Sequence, residues 1–215
     1  MFVITADQIG SRQGQDLAGV VVRQLNEHYA DALSLPADRN AGDEIQALTA
    51  DSGAAVSIVL LLTRSGQWRV GVGCGPVASP LPDETRAATG PAFFAAREAV
   101  ESAKSEGARF RIAAAGSEGV SPSSKTEWPS AEDAQAFMDL LLILRAKRSG
   151  AGWELYDLLE AGLTQAQAAE RLGVTPPAVS QRARSAELRA EREGVAAIVR
   201  LFHSLDEGAT GGYQE

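Results

Sequence analysis

Cysteine occurs once in this chain, at Cys74, and histidine twice, at His28 and His203. A lone cysteine excludes a disulfide framework and any metal site built on cysteine pairs, and it fits a reducing compartment. The two histidines are too far apart in sequence to suggest a metal cluster. No apolar run reaches the roughly 20 residues that cross a bilayer; the longest, Ala54–Thr63, falls well short. The start, MFVITADQIGSR, has no basic leader ahead of a long apolar stretch, so no signal peptide and a cytoplasmic location are expected. A basic excess is also missing. The formal net charge of −8 argues against non-specific coating of nucleic acid.

What is present describes a globular chain. Its 215 residues, 45% hydrophobic and 22% charged, suit one large domain or two small ones. The charge is unevenly spread. Residues 1–144 carry 11 basic and 18 acidic side chains, whereas residues 145–192 carry 8 basic and 6 acidic. A weakly basic surface can therefore exist in the C-terminal part.

The pattern predicts a strand at Phe2–Ala6, a helix over Asp16–Leu33 and a break at Pro36. Short strands at Asp38–Ala41 and Ile45–Thr49 would flank a turn at Gly42. Ser52–Thr63 suits a buried helix or a strand by pattern, and its length favours helix. A strand at Trp68–Val77, an amphipathic helix over Gly90–Ser105 and a strand at Phe110–Ala115 complete an α+β layer domain. Residues 117–129, rich in Gly, Ser and Pro, read as a linker between a domain at 1–116 and a helical domain at 130–206. In the helical part, Ser130 caps a helix ending near Lys147, Trp153–Glu160 forms a second, and a last helix covers Ala190–Leu205. Residues 207–215 are expected to be a disordered tail.

The segment Leu163–Ala186, LTQAQAAERLGVTPPAVSQRARSA, reads as a helix-turn-helix. Thr164 and Gln167 form a capping box, Gly173 supplies the left-handed stop, and Thr175 caps a second helix with Pro176 and Pro177 in its first turn. Ala168 or Ala169, Leu172, Val174, Val179 and Ala183 would pack the two helices. Pro177, Ser180, Gln181 and Arg184 then face outward, the face that enters the major groove of double-stranded DNA in such motifs. Gln181 suits adenine edges and Arg184 guanine, while Thr164, Gln165, Thr175 and Arg182 suit phosphate. The bland alternative is an ordinary helical hairpin or a protein-binding motif.

Near the N-terminus, Asp7 follows the first strand and Asp43 sits in the Gly42-Asp43-Glu44 turn. Such a pair can bind Mg²⁺, which takes few protein carboxylates and favours phosphate oxygens as further ligands. Turn and cap chemistry alone also explains both aspartates. The segments ADQIGSR, GDEIQAL, WRVGVGCGPV and GPAFFAAREAVESAK, with WELYDLLEAGLTQAQAAERLGVTPPAVSQR, resemble the SatD family over nearly the whole chain. More distantly, the N-terminal order is similar to the palm of class III nucleotide cyclases. That resemblance implies a ferredoxin-like, cyclase-palm-like fold, metal ligation by Asp7 and Asp43, and nucleotide contacts from Arg39 and Arg97. Phe94 and Pro91 depart from the cyclase pattern, replacing a transition-state asparagine and a base-contacting residue, which argues against turnover.

The combined expectation is a DNA-binding regulator. An all-α helix-turn-helix domain would read DNA, and an N-terminal domain would sense a nucleotide with Mg²⁺ or mediate pairing. A homodimer reading two half-sites is expected, because one such motif covers only a few base pairs. The rival reading is a metal-dependent nucleotidyl cyclase or related phosphoryl-transfer enzyme with a regulatory helical domain. Bland roles suit Cys74 as a buried small hydrophobe and Trp153 and Tyr156 as packing residues. Arg145, Lys147 and Arg148 read as helix-end cations with a possible phosphate contact.

Overall fold

The computed structural model describes residues 1–11, 15–40, 42–115 and 129–211. The chain divides into two compact units: Met1–Asp139 with Ile198–Glu215, and Leu140–Ala197. Nearly all of the expected linker lies outside the described residues.

The first unit is mixed α and β. Its elements run β1 (Phe2–Gln8), α1 (Ala18–His28), β2 (Leu33–Arg39), β3 (Glu44–Thr49), α2 (Ser52–Arg64), β4 (Trp68–Cys74), a short 3-10 turn, α3 (Pro91–Ser105) and β5 (Phe110–Ala114). The strands form one sheet in the order β2-β3-β1-β4-β5. Only the β4–β5 pair is parallel; its crossover contains α3. β1 is central, and Phe2, Val3, Ile4, Thr5 and Ala6 are all buried, so both of its faces are covered. The register places Asp7 opposite Glu44 on one side and Arg69 on the other. Paired residues share a face. Val3, Thr5 and Asp7 therefore lie on the face that also carries Gly73, Gly71 and Arg69. Helix α3 covers this face, and its Ala92, Phe93 and Ala96 pack with Val3 and Leu48.

Two glycines set how close α3 can come. A Cβ on Gly71 would meet the main chain of Ala96 and Val100, the Ala96 carbonyl oxygen at 2.6 Å, and one on Gly73 would meet that of Ala92 and Ala96. Helix backbone therefore rests on strand backbone, with Ala92, Ala96, Ala99 and Ala103 buried along the contact. Asp51 caps α2, accepting from the amides of Gly53 and Ala54, and this segment is helical as its length implied.

The helix expected over Asp16–Leu33 stops at His28, and the strand expected at Asp38–Ala41 begins at Leu33 and runs through Pro36. Pro36 does not break the strand because β2 is an edge strand whose register shifts between Leu33 and Leu35 and again between Leu35 and Asp38, across the proline. A proline there sacrifices no ladder bond from a central strand. The last helix is also longer than expected. α8 spans Leu188–Gly211, so residues 207–211 are helical, while 212–215 lie outside the described residues.

The second unit is all helix. It contains α5 (Gly150–Glu160), α6 (Gln165–Leu172) and α7 (Pro176–Ser185), together with the C-terminal half of α4 (Ala131–Ala146) and the first half of α8. Leu155, Ala168, Ala169, Val179, Ala186 and Leu188 form its apolar centre, with Leu172, Val174 and Ala183 packed against it. Arg145 and Arg148 are buried at 5% and 7% exposure, and both pair with buried Glu191. Their guanidinium groups lie over the rings of Trp153 and Tyr156, at 4.8 and 5.4 Å for Arg145 and 4.5 and 5.1 Å for Arg148. The phosphate contact considered for these arginines is therefore overturned: they neutralise an internal carboxylate. Lys147 is exposed.

Candidate functional site

Two polar constellations stand out, one in each unit. The first is the α6–α7 pair. The Thr164 hydroxyl accepts from the Gln167 amide at 3.3 Å, while the Gln167 side chain accepts from the Thr164 amide at 2.9 Å. This reciprocal pair satisfies two donors that would otherwise lack partners at the start of α6. Gly173 ends the helix at φ 65°, ψ 31°, and the Val174 amide bonds back to the Ala169 carbonyl at 3.0 Å. The turn is tight because glycine adopts the left-handed region without a steric cost. α7 then opens with Pro176 and Pro177, whose missing amide hydrogens are harmless in a first turn. Thr175 precedes it in extended conformation, but its hydroxyl makes no cap bond, contrary to the sequence expectation.

Val179 turns inward on α7 and Ala186 does so just past its end, while Pro177, Gln181 and Arg184 are exposed and Ser180 is half-exposed. Positions 177, 181 and 184 recur at helical spacing, so they share one face. No acid interrupts α7. The outward side chains are also mutually oriented: Arg184 donates to the Gln181 carbonyl oxygen at 2.6 Å, and the Ser180 hydroxyl bonds Gln165 at 3.2 Å. Thr164, Gln165 and Thr175 are exposed beside them. Arg182 differs from the rest. It is half-buried and pairs with Glu154 at 3.3 Å, so phosphate would have to compete for it.

The second constellation is a cleft of about 830 Å³ in the first unit, lined by Asp7, Gln8, Gly10, Ser11, Asp16, Arg39, Gly42, Asp43, Arg69 and Lys104. Strand β1 brings Asp7 there, the β2–β3 turn brings Asp43, and the end of α3 brings Lys104. Gln8 ties the approach to α1 in place, donating to the Gln15 carbonyl at 2.6 Å and accepting from the Leu17 amide at 3.0 Å. Arg39 pairs with Asp16 at 2.7 Å, and this hydrogen bond holds the Asp16 carboxyl below its usual pKa. Lys104 lies 3.2 Å from Asp7 and 3.0 Å from Glu101. Partial burial works against the Lys104 charge, but the bonds to Glu101 and Asp7 outweigh it, and its pKa is raised.

Asp7, Asp43 and Arg39 thus share one cleft. Arg97 does not line it: it is exposed on α3, about 10 Å of helix before Lys104. Phe94 is 69% exposed and is not a lining residue either. Arg69 and Lys104 escaped the sequence reading. Arg69 could have been found from strand register against Asp7, and Lys104 from its seven-residue spacing to Arg97, which puts both on one helix side. Among the described residues, no three of His, Cys, Asp and Glu come together as a metal cage. Two carboxylates in one cleft fit a Mg²⁺ ion that takes its remaining ligands from water and phosphate.

The chain matches no known family, no curated protein and no solved structure. No described helix is long and apolar enough to cross a membrane.

Proposed function

We propose that the protein is a cytoplasmic DNA-binding regulator whose α7 enters the major groove of double-stranded DNA. One observation carries this reading: α7 presents Pro177, Gln181 and Arg184 on an exposed, acid-free face, beside a capped α6 and a tight glycine turn. In this reading Arg184 meets guanine, Gln181 and Ser180 contact neighbouring base edges, and Thr164, Gln165, Thr175 and Arg182 touch phosphate. A homodimer would supply the second half-site. The test is selection from a random duplex library at stated salt, followed by a titration of the selected site. Enrichment of one motif, with a log K against log salt slope that reflects a few phosphate contacts, is expected. Binding of every duplex alike, or of none, would sink the proposal.

The shared cleft favours a second role for the first unit, as a sensor of a nucleoside triphosphate with Mg²⁺. The run β1-α1-β2-β3-α2-β4 with spatial order 2-3-1-4 supports a ferredoxin-like, palm-type arrangement for that unit. Asp7 and Asp43 would hold the cation, and Arg39, Arg69 and Lys104 would meet phosphate. Calorimetric titration with a non-hydrolysable triphosphate, with and without Mg²⁺, tests this. Cation-dependent binding that vanishes in Asp7→Asn and Asp43→Asn is expected. Turnover of triphosphate abolished by the same changes would instead favour the cyclase-like enzyme.

A further inference from the structure

The residues of α4, AEDAQAFMDLLLILRA, are apolar on more than one side. One side is consumed internally: Ala134, Met138 and Leu141 are buried. The other is not. Phe137, Leu140 and Ile143 are 47%, 64% and 53% exposed, three of the seven large apolar side chains most open to solvent among the described residues. A helix apolar all round is normally covered all round. Lone exposed hydrophobes are ordinary, but three in a row along one helix face form a patch.

We propose that this face of α4 is the surface on which a second copy of the chain docks, antiparallel, about a two-fold axis at Leu140. The pattern is self-complementary. Counted from Leu140, exposed Phe137, Ala136, Ile143 and Lys147 and half-buried Asp133 and Leu144 fall at three, four and seven residues in each direction, the alternation of a helix–helix seam. An isologous contact sets each residue against its mirror position. Phe137 then meets Ile143 of the second copy, exposed Ala136 makes room for half-buried Leu144, and Leu140 meets itself. At the ends, half-buried Asp133, whose carboxylate also accepts from the Ser130 amide at 2.9 Å, faces the exposed Lys147 in the turn just after α4, so opposite charges close both ends of the seam. A parallel pairing would instead set Asp133 on Asp133 and Lys147 on Lys147. One helix against one helix makes a small contact, of the class that includes weak, transient complexes. The proposal deepens the homodimer of the regulator reading, but takes its surface from α4 alone.

Cross-linking of the full chain without DNA tests it. Leu140→Cys is expected to form a disulfide-linked dimer under mild oxidation. Phe137→Cys and Ile143→Cys are expected to cross-link poorly alone and well when mixed. Cys74 is buried and does not confuse the readout. Sedimentation of Leu140→Asp, a change at an exposed site, should give monomer where the wild type dimerises. Lys147→Asp should weaken pairing, and adding Asp133→Lys should restore it. A wild type that stays monomeric at hundreds of micromolar overturns the proposal. So does a dimer in which Leu140→Cys fails to cross-link, the result expected if residues 116–128 or another protein cover this face. Failure of DNA binding in a chain that still cross-links at Leu140 would sink the regulator reading and leave the interface intact.

Discussion

The α7 face and the β1–α3 cleft spend their charges differently. On α7, Arg184 donates to a neutral amide, and no acid of that helix draws it away. In the cleft, Lys104 already pairs with Asp7 and Arg39 with Asp16. In the proposed reading a base edge reaching Arg184 displaces only its bond to the Gln181 side chain, whereas a ligand in the cleft must displace ion pairs to engage Asp7, Lys104 or Arg39. The Arg39–Asp16 pair is exposed and such pairs are worth about 0–1 kcal/mol, so replacing it costs little, while the partly buried Lys104–Asp7 pair is harder to replace. In the proposed reading the first surface meets a polyanion, and the second a ligand that brings both anion and cation.

The contrast can be broken most forcefully through the cores that hold each surface. Glu191→Ala leaves Arg145 and Arg148 buried beside each other without their carboxylate, and about 3–5 kcal/mol of stability should be lost in urea unfolding. Gly71→Val drives a side chain into the α3 backbone and should cost about 3 kcal/mol or more, with loss of the cleft. Nucleotide titration and circular dichroism would report it. Arg184→Ala removes the proposed guanine contact and should cost about 1–3 kcal/mol of binding to the selected duplex, with no change in melting temperature. Thr164→Ala deletes one half of the capping box and should lower stability by about 1 kcal/mol.

A pH experiment sharpens the comparison from the side of the first unit. Burial, and then the nearby Asp206 carboxylate, push the Cys74 thiol from 9.0 up to about 12. The folded state therefore keeps its proton where the unfolded chain has lost it. Stability from this group is intact below pH 9 and falls as pH rises toward 12. Unfolding midpoints measured from pH 8 to 10.5 should decline less steeply in Cys74→Ala than in wild type. Equal slopes would remove the thiol as the cause.

Local chemistry explains what could be read before the fold was known. The α6–α7 turn is written in adjacent residues: Thr164 with Gln167, then Gly173, then Pro176 and Pro177. Each makes its contact within a few positions along the chain, so spacing alone locates the motif. The cleft is non-local. Asp7 and Asp43 were visible as turn-adjacent carboxylates, but Lys104 joins them only because α3 crosses above β1 and β4. Arg145 and Arg148 misled for the same reason. Their partner Glu191 is distant in sequence, and nothing in RAKR separates a helix-end cation from a buried one. Pro36 misled because only the sheet order reveals that its strand lies at an edge.

The contact between α3 and β4 has a consequence for any ligand in the cleft. Most helices ride on a cushion of side chains that can repack by small rotations. Here main chain bears on main chain at Gly71 and Gly73, leaving nothing to compress. The main chain that carries Lys104 is therefore held at a fixed height above the sheet, while its long side chain keeps its own freedom. The geometry of the cleft can adjust at the turn bearing Asp43, while its floor behaves as a hard stop.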